Sequence, residues 1–149
     1  MRLWHYKLIE LLPRSQLIAQ WRELNSIFKK QDKHILINYV YEYDKKELLS
    51  YTILVFKQMV KKNIRPRSLL NFHNYFGLSV IDLCIHDIER KYGKLNKNPF
   101  PNHHTNRYLL QCFYNLQEKY DRGQKDFSYE VYNKMRTFML KEKLIDEIH

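Results

Sequence analysis

The segment PRSQLIAQWRELNSIFKK, residues 13–30, decides the fold class. Leu17, Trp21, Leu24 and Phe28 recur at intervals of four, three and four, with Ile18 beside them. That spacing lines one face of an α-helix, because i, i+3, i+4 and i+7 project to the same side at 3.6 residues per turn. Pro13 suits its first turn, where a missing N–H costs nothing. An apolar stripe of this kind needs other elements to cover it, and the rest of the chain reads as more helix.

Working outward, Asp44 and Glu47 stand at capping-box spacing ahead of Leu48, Tyr51, Thr52, Val55, Met59 and Val60, which continue the helical period to Lys61, Lys62 and Asn63. Arg65-Pro66-Arg67 breaks the pattern. A further helix is predicted over 79–91, after an aromatic loop and before a terminating Gly93. KLNKNPFPNHH is a loop. Thr105 caps a third long helix with Leu109, Cys112, Phe113 and Leu116 inward, and after the turn DRGQKD the segment FSYEVYNKMRTFML reads as a last helix. Ile35–Tyr43, rich in β-branched and aromatic residues, reads as a short extended segment or a buried connector. With only 3 Gly and 4 Pro in 149 residues, long elements are expected. The expected fold is all-α: one compact domain over residues 1–149, a bundle of three to five helices with long connecting loops.

The charge points to a class of partner. Lys and Arg number 26 against 16 Asp and Glu, a formal net charge of +10. Such a balance favours polyanions, nucleic acid first and anionic membrane second. The opening MRLWHYKLIELLP is too short and interrupted for a signal core or a membrane span, so a soluble, cytoplasmic monomer without membrane attachment is expected. Cys84 and Cys112, outside any ligand cluster, read as two reduced, half-buried thiols. His103 and His104 point apart in an extended loop and have no third ligand at suitable spacing, which favours a structural or DNA-facing role over a metal site. No metal and no cofactor is expected. Trp4 and Trp21 read as core anchors.

Glu23 is the residue of chemical interest. It lies about 200° around the helix from Trp21, opposite the apolar stripe, with Gln16, Ala19, Ser26 and Lys30 on the same outer face and Arg22 at its edge. Read from the residues alone, two interpretations stand: a solvated helix glutamate paired with Lys30 or Arg22, or a carboxylate on a DNA-docking face. The run Lys29, Lys30, Lys33 has the same two readings, and His34 is a phosphate contact or a loop histidine bonded to backbone.

Three motifs, in order and in register, narrow the choice. They are MRLWHYKLI at the N-terminus, LPRSQLIAQWREL with Arg22-Glu23-Leu24 and Phe28, and KKQDKH with Lys33-His34. Together with YEYDKKELL at the second helix, they make the chain resemble the pyrimidine-dimer DNA glycosylase family, phage-type endonuclease V, which excises ultraviolet photoproducts. The resemblance is good to about Asn63, weak from Arg65 to Asn98, and returns loosely at the proline-histidine loop and the helix from Thr105 to Tyr120.

The resemblance implies a compact all-helical fold with the N-terminus threaded beside the first helix. It also implies base excision from kinked duplex DNA with a nucleotide moved out of the stack, and an associated abasic-site lyase step. In that chemistry an α-amine attacks C1′, a Schiff base forms, and a glutamate assists; by position the glutamate is Glu23. The family carries its amine on a small residue exposed by removal of the initiator Met. Arg2 should block that removal, so the amine falls to Met1; a lysine nucleophile, or a glycosylase without efficient lyase activity, are the alternatives. The implied partner is damaged double-stranded DNA, contacted by Arg2, Gln16, Arg22, Lys30, Lys33, His34 and Lys119. A family arginine falls on Asn115, and the family's aromatic-basic tail has a loose counterpart in Tyr129, Tyr132 and Lys134. The competing readings are a non-catalytic basic nucleic-acid-binding protein and, last, a helical protein-interaction module.

Overall fold

The computed structural model describes residues 2–78 and 85–147. Among them are six α-helices: α1 (Arg14–Lys30), α2 (Lys45–Lys61), α3 (Leu69–Phe76), α4 (Ile85–Tyr92), α5 (Asn106–Asp121) and α6 (Tyr129–Lys141). Two 3-10 turns, Tyr6–Leu11 and Asn38–Glu42, complete the regular structure, and no strand occurs among the described residues. The all-α expectation holds. The number of helices exceeds the expected three to five because short α3 and α4 add to the four long ones.

The stripe on α1 is buried as its spacing requires: Leu17, Trp21, Leu24 and Phe28 are all in the core, joined by Ile27. Burial of each such side chain contributes about 2 kcal/mol. α1 packs on α2 and α3, while the Tyr6–Leu11 turn packs on α2 and α6. α2 is the central helix, buried from Glu47 through Ile53 and again at Val55 and Met59. Its inward Ser50 and Thr52 hydroxyls donate to carbonyls one turn back, Lys46 and Leu48, each at 2.7 Å, which removes the cost of an unpaired hydroxyl.

Pro13 precedes α1 but offers it no side-chain cap. The cap comes from far along the chain: Asp126 Oδ2 accepts from Ser15 N–H at 2.7 Å, and Oδ1 accepts from the Ser15 hydroxyl at 2.7 Å. A carboxylate thereby sits at the positive end of the helix. α5 is capped as its sequence suggests, by Thr105 on Tyr108 N–H, and α6 is capped by Ser128 on Val131 N–H. The inner face of α5 is Leu109, Cys112, Phe113 and Leu116, all with no exposed surface. Gly93, at φ +83, ends α4 by donating its N–H to Glu89.

Several local expectations are corrected. Asp44 stands at the start of α2 without a side-chain bond, and Glu47 turns instead to Asn96 Nδ2, 3.1 Å from both carboxylate oxygens; the capping box does not form. The aromatic stretch after Ser68 is helix α3, not a loop, with Phe72, His73 and Phe76 directed inward. The helix expected over 79–91 is seen as α4 from Ile85; residues 79–84, including Cys84, lie outside the described residues. Ile35–Tyr43 is not extended. It forms turns and the 3-10 segment, with Ile37, Tyr39 and Val40 buried, so the connector reading is the one that holds. Cys112 is fully rather than half buried, and burial pushes its thiol pKa up.

Candidate active site

The chain enters the core immediately. Leu3, Trp4 and His5 are buried beside α1, and side chains from α1, α2 and α5 bond the backbone there. Gln20, on the buried side of α1, donates from Nε2 to the Arg2 carbonyl (3.1 Å) and accepts Trp4 N–H on Oε1 (2.7 Å). The Leu3 carbonyl accepts from the Tyr108 hydroxyl and the Trp4 carbonyl from the Tyr51 hydroxyl, both at 2.6 Å. Tyr51 also approaches Gln20 Oε1 at 2.8 Å. Side chains thus bond four backbone groups of a segment that has no sheet partner, the Arg2, Leu3 and Trp4 carbonyls and the Trp4 N–H.

Two neutral histidines continue the network. His5 Nδ1 accepts Lys7 N–H (3.1 Å), leaving Nε2 to carry the proton and donate to the His104 carbonyl (2.9 Å). His104 Nδ1 accepts Tyr6 N–H (3.2 Å), so its Nε2–H faces the Tyr39 hydroxyl (2.7 Å). Burial lowers the His5 pKa to about 4 and holds His104 well below the usual range. His103 bonds the Tyr43 hydroxyl through Nδ1 at 2.7 Å. The pair therefore organises the fold around the N-terminal segment.

The wall built by this segment encloses a cavity of about 360 Å³ against α1 and α5. Arg2 and Trp4 come from the segment, Gln16, Ala19, Gln20 and Glu23 from α1, Leu36 from the connector, and Asn115 and Lys119 from α5. Glu23 is half-buried here, which corrects the expectation of an exposed carboxylate. Arg2 stacks between aromatic neighbours, its guanidinium carbon 5.9 Å from the Trp4 ring centroid and 5.8 Å from that of Tyr108. Burial raises the Glu23 pKa, Asp32 adds to the rise, and His34 and Arg22 oppose it. Glu23 is thus a carboxylate short of full solvation that shares its cavity with Arg2 and Lys119.

The residues expected to contact DNA separate into groups. Arg2, Gln16 and Lys119 share the Glu23 cavity. Arg22, exposed, belongs to a groove on the other flank of α1. Lys30 and Lys33 border an open surface depression with Lys29, Gln31 and Asp32. His34 is exposed; its Nδ1 accepts Leu36 N–H at 3.2 Å and its own N–H donates to Asp32 Oδ1 at 3.0 Å, so it supports the local turn. The Ser26 hydroxyl bonds the same Asp32 carboxylate at 2.9 Å and draws its pKa down. Met1 lies outside the described residues. Tyr132 is a core residue, stacked on Tyr120 with centroids 4.3 Å apart, whereas Tyr129 is exposed. Gln20, which holds the Arg2 and Trp4 backbone beside the cavity, is a residue that sequence reasoning passed over. Its position on the buried side of α1 was legible, but not the backbone that it would meet there.

Residues 1–72 match the family model of pyrimidine dimer DNA glycosylase, so the resemblance carried by the N-terminal motifs is borne out. The match takes in both 3-10 turns, α1, α2 and the start of α3, and with them Arg2, Gln16, Gln20, Arg22 and Glu23; Lys119 lies beyond it. No curated protein and no solved structure matches the chain. Among the described residues no helix is long and apolar enough to cross a membrane.

Proposed function

We propose that the protein is a DNA repair glycosylase that cleaves the N-glycosidic bond at pyrimidine dimers or related lesions in double-stranded DNA, with Glu23 as its catalytic carboxylate. The observation that carries this reading is a half-buried Glu23 with a raised pKa, which lies within the segment that matches the glycosylase family and shares a cavity with Arg2 and Lys119. Glycosidic cleavage builds positive charge on the sugar. An under-solvated carboxylate favours that state over the neutral ground state, which is the requirement for lowering a barrier. Its raised pKa also suits it to pass a proton during β-elimination. Arg2, Lys119 and Gln16 are placed to hold flanking phosphate and sugar oxygens.

The accompanying lyase step assigns the nucleophile to the α-amine of Met1, which is bonded to the anchored Arg2. An α-amine has an ordinary pKa of about 8 and keeps a neutral fraction near pH 7 that a lysine lacks. Its nitrogen forms a bond to C1′ as the C1′–base bond breaks, with the electron pair leaving on the base. The C1′–O4′ bond then breaks as the nitrogen gives up its proton and O4′ takes one up, and the opened sugar is held as the Schiff base.

Dimer-containing duplex incubated with the protein and borohydride should yield a trapped adduct mapping to Met1, together with released base. Glu23→Gln should abolish turnover and preserve binding. Base release without an adduct would remove the lyase step alone. Absence of both would leave a non-catalytic DNA-binding protein.

A further inference from the structure

On the flank of α1 away from Glu23 lies a second groove, of about 570 Å³, edged by Arg14, Arg22, Arg65 and Arg67 and without an acidic residue in its lining. All four arginines are exposed. No carboxylate pairs with any of them among the described residues. Arg14 is partly committed, donating to the Lys62 carbonyl at 3.2 Å; Arg22, Arg65 and Arg67 are not. The floor is apolar and buried, made by Trp21, Met59 and Ile64, which lets arginine stems lie against it while the guanidinium groups stay outward.

The loop that bears Arg65 and Arg67 is fixed in place. Trp21 Nε1–H donates to the Arg67 carbonyl at 2.6 Å, and Ile64 N–H donates to Met59 at 2.8 Å. Pro66 restricts the backbone between the two arginines. The loop is bracketed by Asn63 at φ +56 and Ser68 at φ +61. A left-handed serine costs about 1 kcal/mol, so the fold holds this loop against a local preference.

The two grooves occupy opposite sides of one helix, whose diameter is about 10 Å. The two backbones that flank a DNA groove stand at a similar separation, about 6 Å across the minor and 12 Å across the major groove. We propose that the Arg22/Arg65/Arg67 groove binds backbone phosphates of the DNA strand opposite the one presented to Glu23. The free guanidinium groups supply charge-assisted, two-pronged donors for phosphate oxygens, and the rigid loop presents them without an ordering cost. The inference rests on the DNA-directed reading above and extends it to a strand and a surface.

The test is the salt dependence of binding to undamaged duplex and to single-stranded DNA of the same length, by fluorescence anisotropy, for the wild type and R65A/R67A. Each neutralised phosphate contributes about 0.9 to the log–log salt slope. The double variant should therefore lose about 2 from its duplex slope and keep its single-strand slope, while R65K/R67K keeps both. An unchanged duplex slope, or an equal loss on the single strand, overturns the proposal. Base release from dimer-containing duplex by the wild type is measured alongside. If none occurs the glycosylase reading falls, while the slopes still decide the groove.

Discussion

Acid should loosen the N-terminal segment before it unfolds most proteins of this size, and His5 sets the scale. Its pKa falls from 6.5 to about 4 in the folded protein through burial, which the Lys7 charge reinforces, against a hydrogen bond to the His104 carbonyl that acts the other way. The folded state thus favours neutral His5, and the unfolded chain takes up a proton more readily below pH 6.5. Stability is unaffected well above that pH and is lost as pH falls towards 4. At 1.36 kcal/mol per pKa unit, the loss is about 2 kcal/mol at pH 5 and about 3 kcal/mol at pH 4. His104, shifted the same way, adds to it. His5→Asn removes the titration while its side-chain oxygen keeps an acceptor for Lys7 N–H. It should cost about 1 kcal/mol at pH 7 for the lost bond to His104, yet reduce the drop between pH 7 and pH 5 by about 2 kcal/mol. Urea unfolding at the two pH values measures both. A variant whose drop equals that of the wild type would refute the assignment of a neutral, buried His5.

Other outcomes follow from the same contacts. Gln20→Leu should lower stability by about 3 kcal/mol, since it strands the buried Trp4 N–H and withdraws a partner from Tyr51; the thermal midpoint reports it, and any excision activity should fall with Arg2 left unanchored. Asp126→Ala should cost about 1 kcal/mol by uncapping α1, with the loss shrinking in high salt only in its helix-dipole part. Glu23→Gln should be neutral or slightly stabilising, because it removes a charge that burial disfavours; a marked loss of stability would count against a functional carboxylate and for a structural one.

Much of the fold was legible because long amphipathic helices encode their own burial. The spacing of Leu17, Trp21, Leu24 and Phe28 in α1, and of Leu109 to Leu116 in α5, fixed which faces turn inward. Thr105 and Gly93 marked boundaries through local hydrogen bonding and backbone freedom alone. α3 was hidden because its N-cap, Ser68, adopts a left-handed conformation and makes no side-chain cap, so the usual start signal is absent. The capping-box spacing of Asp44 and Glu47 misled for a complementary reason: Asn96, distant in sequence, competes for the carboxylate.

The site divides along the same line. Sequence determined that Glu23 sits opposite an apolar stripe on a basic helix, and the N-terminal motifs placed it in a glycosylase register. Only the tertiary structure brought Arg2 and Lys119 to the same cavity, half-buried the carboxylate, and revealed Gln20 and the two neutral histidines holding the segment that forms the cavity wall. It also put Arg65 and Arg67 beside Arg22, across α1 from the glutamate. Periodicity and capping act within a few residues and can be read along a chain, whereas desolvation and cavity shape depend on which distant segments meet.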